Sequence, residues 1–196
     1  VKRLRIVLWI AVAVAAVAGV LVATRGHEQQ PMTISAASTP VGPFTLTDGN
    51  GQPFPSSKLA GKPYALFFGF THCPDVCPTT LSRLIRLRKA VGRGEEAFNI
   101  VFVTVDPERD GAEEVGAYSK AFNSPVIGLT GSPAQIDGVK QQFGIFSQKV
   151  PTSGGDYTVD HTATVQLFDR DGQRAGTIAA DEGDAPALDK LKMLVG

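Results

Sequence analysis

Tyr64-Ala65-Leu66-Phe67-Phe68-Gly69-Phe70 runs straight into Thr71-His72-Cys73-Pro74-Asp75-Val76-Cys77-Pro78. The first seven residues are apolar without alternation, the pattern of a short strand buried on both faces. Pro74 and Pro78 discourage regular helix before Pro78, and Pro78 itself suits a helical first turn. Leu81, Leu84, Ile85 and Arg88 then recur at helical spacing, with Arg83, Arg86 and Lys89 turned outward. Cys73 is expected in the loop and Cys77 at the helix entrance. There, free backbone N–H groups and the helix dipole favour a thiolate.

The same reading extends in both directions. Upstream, Phe44-Thr45-Leu46-Thr47, the turn Asp48-Gly49-Asn50-Gly51 and Gln52-Pro53-Phe54 form a β-hairpin pattern. Ser56 to Leu59 reads as a short helical turn. Downstream, Ile100 to Val105 is a second buried strand, ending in Asp106-Pro107-Glu108-Arg109-Asp110. Gly111 to Phe122 reads as a helix with Val115, Tyr118 and Phe122 on one face. Val126 to Leu129 is a strand, and Pro133 opens a helix through Ile136, Val139, Lys140 and Phe143. A long loop with Pro151, Gly154 and Gly155 leads to His161; loops of that length are commonly functional. Ala163 to Phe168 and Gly176 to Ala179 form a second hairpin around Asp169-Arg170-Asp171-Gly172, and a last helix covers about Ala185 to Val195. Alternating strands and helices imply an α/β domain with a mixed sheet covered on both faces. A cysteine pair at the first strand-to-helix turn makes the arrangement thioredoxin-like.

The N-terminus has a different character. Lys2, Arg3 and Arg5 precede an unbroken apolar run from Ile6 to Ala23. A run of about 18 residues reaches the length needed to cross hydrocarbon, and the basic flank belongs on the cytoplasmic side. The expected organisation is a membrane anchor over residues 1–25, with a transmembrane helix at about 6–23. A polar tether over 26–42 and a globular domain over 43–196 follow. A cleaved signal peptide is the alternative. Either places the body in an exported compartment: the periplasmic side of a bacterial inner membrane. The whole chain balances 19 bases against 19 acids. Beyond residue 25, 15 bases face 19 acids, a net of −4. A mildly acidic body with no basic stripe argues against nucleic-acid binding.

Cys73 and Cys77 are the only cysteines. Sulfurs so placed can close a disulfide or hold a soft ion, and two thiolates suit Cu(I) or zinc. A disulfide across three intervening residues would restrict the unfolded chain little. His161, in Asp156-Tyr157-Thr158-Val159-Asp160-His161-Thr162, is a third candidate ligand at the mouth of the sheet. Asp160 beside it could orient the ring, and Asp106 could hydrogen-bond near the cysteine loop. His72 is expected to point away from the sulfurs, while His27 lies in the tether. Met32 and Met193 are too scattered for a methionine site.

Three separated motifs resemble the Sco/SenC family of copper chaperones. They are Phe70-Thr71-His72-Cys73-Pro74-Asp75-Val76-Cys77-Pro78, Val105-Asp106-Pro107-Glu108-Arg109-Asp110 and Asp156-Tyr157-Thr158-Val159-Asp160-His161, in the family's order. The resemblance extends from about Phe44 to the C-terminus. It implies a thioredoxin-like domain on a single transmembrane helix, with Cys73, Cys77 and His161 as copper ligands. It also implies delivery of copper to the binuclear copper centre of cytochrome c oxidase subunit II. The role implied is ligand exchange rather than enzymatic turnover: Cu(I) in a three-coordinate site, with Cu(II) needing an added ligand. In an oxidising compartment the pair must first be reduced, so a dithiol reductase is an expected partner. Oxidation to a Cys73–Cys77 disulfide would abolish binding.

The main rival is a thiol-disulfide oxidoreductase acting on the acceptor's cysteines. Such enzymes normally carry C-x2-C, one residue shorter than the spacing here, and a proline where Asp160-His161-Thr162 stands. A thiol peroxidase would place threonine three residues before its cysteine, whereas Thr71 is two before Cys73. For zinc, nothing supplies a hydrolytic base.

Overall fold

A computed structural model of the chain describes residues 41–196. The expected transmembrane helix and most of the expected tether lie outside the described residues. Among the described residues, no helix is long and apolar enough to cross a membrane.

The chain opens with the expected hairpin, β1 (Thr45–Asp48) and β2 (Pro53–Pro55). Asp48 closes its turn by accepting the Asn50 and Gln52 amides, both at 2.9 Å, and Gly51 takes a left-handed φ of 74° there. After a 3-10 turn at Ser56–Leu59 come β3 (Tyr64–Gly69), α1 (Val76–Ala90), β4 (Asn99–Thr104), α2 (Ala112–Lys120) and β5 (Ile127–Thr130). These strands pair in parallel through β4, as βαβ connections require. Helix α3 (Pro133–Phe143) starts in a capping box between Ser132 and Gln135 and ends at Gly144 in the left-handed region. Two antiparallel strands, β8 (Val165–Phe168) and β9 (Arg174–Ile178), precede the last helix, α4 (Asp184–Val195). The seven-stranded sheet runs β2-β1-β5-β4-β3-β8-β9.

Every residue of β3 is buried, and its alternation sends consecutive aromatics to opposite layers. Phe68 meets Phe143 of α3 at 5.6 Å between ring centroids. Phe67 faces Phe102, which meets Tyr118 of α2 at 5.1 Å. The sheet is therefore covered on both sides, as the unbroken apolar run predicts. Arg88, which shares its helical face with the apolar residues of α1, is buried. It donates to the Phe98 and Pro125 carbonyls and the Ser124 hydroxyl.

Two local expectations are corrected. Helix α1 begins at Val76 rather than Pro78; a proline in the first turn costs no intrahelical hydrogen bond, because those amides have no helical acceptor. The long loop before His161 is largely a hairpin, β6 (Ser147–Pro151) with β7 (Tyr157–His161), in register Ser147 with His161 and Pro151 with Tyr157. It forms a separate two-stranded sheet. Only Val159 is buried among its strand residues, so the segment lacks the apolar alternation that marks a packed strand.

Candidate metal centre

Cys77 occupies the first turn of α1, and its side chain points into the protein, where it is 0% exposed. Gly69, at the end of β3, makes room for it. A Cβ on Gly69 would lie 2.8 Å from the Cys77 sulfur and 2.9 Å from the Phe102 ring. Cys73 stays in the loop, half-buried, and its sulfur accepts the Cys77 amide at 3.4 Å. One free amide of the helix start, that of Cys77, thus serves the outer sulfur.

The expectation of an acidic Cys77 thiol fails. Burial pushes the thiol well above its ordinary range, with a backbone hydrogen bond from Phe70 acting in the opposite direction. Loss of hydration at a fully enclosed sulfur outweighs the helix-terminal field.

His161 ends β7 and reaches the same point from the other side. Its Nε2 lies 3.6 Å from the Cys77 sulfur. Nδ1 sits 3.1 Å from the Thr162 carbonyl; a carbonyl can only accept, so Nδ1 carries the hydrogen and Nε2 presents its lone pair to the sulfur. Phe67 and Phe70 stand edge-on to the ring at 6.0 and 5.9 Å. Burial holds the imidazole below its ordinary pKa, favouring the neutral form that a metal requires.

Asp160 does not orient this ring. Alternation along β7 sends its side chain to the opposite face, where it is exposed. The Thr162 carbonyl takes that part instead. Asp106 also departs from expectation: its carboxylate engages Arg109 and Tyr157 rather than the cysteine loop. The acid that holds the loop is Asp110, fully buried. It accepts the Thr71 amide at 2.8 Å, the Thr71 hydroxyl at 2.6 Å and the Thr104 hydroxyl at 2.6 Å. The turn closed by Asp110 N–H to the Asp106 carbonyl folds it back over the sheet end. His72 leans on Thr71, at 3.1 Å, rather than on the sulfurs.

Phe70, Cys73, Pro74, Val76, Val159 and His161 line an open cleft of about 280 Å³. A hollow of about 370 Å³ lies elsewhere, against Phe44, Leu59 and Tyr64, and no cysteine or histidine lines it. Among the described residues, no three His, Cys, Asp or Glu side chains are already grouped as around a bound ion. The approach of the imidazole to a sulfur is pairwise, and the outer sulfur lies on a loop beside it.

The SCO1/SenC family profile matches residues 32–196. The chain belongs to the SCO1/SenC family. It is 39% identical over 134 residues to a SCO2-like protein of Rickettsia prowazekii (strain Madrid E), covering 67% of this chain and 65% of that one. It is 38% identical over 135 residues to the mitochondrial SCO1 homologue of Mus musculus, covering 67% and 48%. The chain thus spans about half to two thirds of the length of these curated relatives. Among solved structures, it is similar to Bradyrhizobium japonicum ScoI with copper bound. There the identity is 42% and the TM-score 0.70, covering 78% of this chain and 98% of that one. Yeast Sco1 with copper bound is 30% identical at a TM-score of 0.69, covering 79% and 87%. The SCO1/SenC resemblance of the three sequence motifs and the thioredoxin-like α/β fold are thereby established.

Proposed function

We propose that this chain is a membrane-tethered copper chaperone that carries Cu(I) on Cys73, Cys77 and His161. Its acceptor is the binuclear copper centre of cytochrome c oxidase subunit II. The observation that carries the reading is the 3.6 Å approach of His161 Nε2 to the Cys77 sulfur across 84 residues of sequence. Two SCO1/SenC relatives with this fold hold copper. Two soft sulfurs and one neutral imidazole match Cu(I). The half-buried Cys73 sulfur is the point at which an incoming thiol can begin replacing the ligands one by one. The apolar run from Ile6 to Ala23 would anchor the domain on the periplasmic side of a bacterial inner membrane, and a dithiol reductase would keep the pair reduced.

Reduced protein should bind one Cu(I) per chain, measured by competition with a chromophoric chelator. His161→Ala should weaken that binding by about tenfold or more; equal affinity in the variant would remove the imidazole from the ligand set. Transfer to the apo soluble domain of the acceptor, followed by its copper spectrum, tests delivery.

A second reading rests on the unequal burial of the sulfurs. The outer Cys73 and enclosed Cys77 resemble the attacking and resolving thiols of an oxidoreductase. Cys73 would open an acceptor disulfide to a mixed disulfide, and Cys77 would then displace the acceptor thiol. Catalytic acceptor reduction without copper retention would favour this reading.

A further inference from the structure

The β6–β7 hairpin brings His161 to the sulfurs, yet Val159 is its only buried strand residue. Tyr157, Val159 and His161 lie on one face of β7, two residues apart. Val159 packs into the core and His161 meets Cys77. Tyr157 is gripped at three places from the turn after β4. Its hydroxyl donates to Asp106 Oδ1 at 2.9 Å. Its ring lies 3.7 Å from the Arg109 guanidinium carbon. Its carbonyl accepts from Arg109 Nη1 at 2.9 Å. Arg109 is itself fixed, donating through Nε to Asp106 Oδ2 at 2.6 Å and through Nη1 to Asp156 at 3.1 Å. Asp106 is 1% exposed, and its amide donates to the Thr104 hydroxyl at 2.9 Å. On the other strand, Lys149 pairs with Glu108 at 2.6 Å.

This is more polar attachment than a surface hairpin needs. It also has a cost: Arg109 Nη2 is buried with no hydrogen-bond partner, a rare condition that calls for a reason. The planar guanidinium stacks on Tyr157 while its edge reaches Asp106, an arrangement that an ammonium group cannot reproduce.

We propose that Asp106, Arg109 and Tyr157 form a latch that sets the position of His161, with Arg109 as the positioning residue. The latch touches neither sulfur nor imidazole. It fixes one end of β7 so that the other end meets Cys77, and without it the hairpin swings about its Val159 contact and the third ligand is lost. This inference rests on the proposed ligand role of His161 for its effect on copper, but not for its effect on the hairpin.

The test therefore has two readouts on the reduced full chain in detergent. The first is amide hydrogen exchange without metal. In Arg109→Gln, the β6–β7 ladder amides should exchange at least about tenfold faster, with β3 and β4 amides unchanged; Tyr157→Phe should give a smaller increase. Unchanged hairpin exchange would overturn the latch, and so would an equal rise across β3 and β4. The second readout is Cu(I) affinity. Arg109→Gln should lose about tenfold, the scale of groups that orient metal ligands, and lose nothing further when combined with His161→Ala. An equal loss on the His161→Ala background would overturn the positioning role. If the hairpin loosens while His161→Ala binds copper like the parent, the latch stands and the assignment of His161 as ligand fails.

Discussion

At Cys77 two electrostatic effects oppose each other. The first turn of α1 offers a favourable field to an anion, worth about 0.3–1 kcal/mol at a surface site. Complete burial removes hydration that a thiolate needs, and burial prevails. In the proposed site, Cu(I) would therefore displace a proton from this sulfur. Below the thiol pKa, each unit fall in pH makes that displacement about tenfold harder. Cu(I) affinity should rise with pH with a slope of at least about one log unit per pH unit between pH 6 and 8, measured by chelator competition. A flat profile would mean that Cys77 is not a thiolate ligand. The two cysteines and His161 were legible because their residue types are rare in this chain and their motifs are specific. Asp110 was not: nothing in a single sequence separates it from Asp106, four residues earlier, and only the turn between them decides which faces the loop. Its carboxylate accepts three donors, so Asp110→Asn leaves at least one of them poorly matched. We expect a loss of about 1–3 kcal/mol, read as a lower unfolding midpoint in denaturant, with weaker copper binding from a loosened loop.

The strand β3 shapes the site by what it omits. A methyl group on Gly69 would occupy space held by the Cys77 sulfur and the Phe102 ring. Both lie in a packed interior that cannot yield cheaply. Gly69→Ala should cost about 1–3 kcal/mol and weaken Cu(I) binding, because the displaced atom is the proposed ligand itself. Gly138, within α3, is the control: a Cβ there meets nothing within 4 Å, and Gly138→Ala should stabilise the fold by about 0.4–1 kcal/mol with copper affinity unchanged. Paired unfolding and chelator titrations separate the two outcomes. At this scale the sequence was most readable where burial is complete. β3 and β4 carry continuous apolar runs, and Pro133 marks the start of α3. The β6–β7 hairpin escaped notice because polar contacts, chiefly those of Arg109, hold it where apolar side chains usually would. An arginine in a turn carries no sign of the tyrosine 48 residues away whose carbonyl it will bind.

At the scale of the fold, copper bound at the proposed site should couple parts carried on different sheets. The cysteine loop hangs from the seven-stranded sheet through Asp110, and the imidazole arrives on a two-stranded sheet of its own. An ion held by all three side chains would join these pieces in the native state alone. Ligand that binds only the folded chain stabilises it by RT ln(1 + [L]/Kd), about 4 kcal/mol at a thousandfold excess over Kd. For a domain of this size that corresponds to a rise of about 10 °C in Tm. Reduced protein with buffered Cu(I) should show this rise by calorimetry, and chelation should reverse it. The oxidised protein should show none, since a Cys73–Cys77 disulfide leaves no thiolate to bind. His161→Ala should keep only part of the shift, because two thiolates still bind Cu(I) but the metal no longer adds a tie between the hairpin and the cysteine loop. A full shift in that variant would mean that copper sits on the cysteine loop alone, with the hairpin held only by Val159 and by the Asp106, Arg109 and Tyr157 contacts.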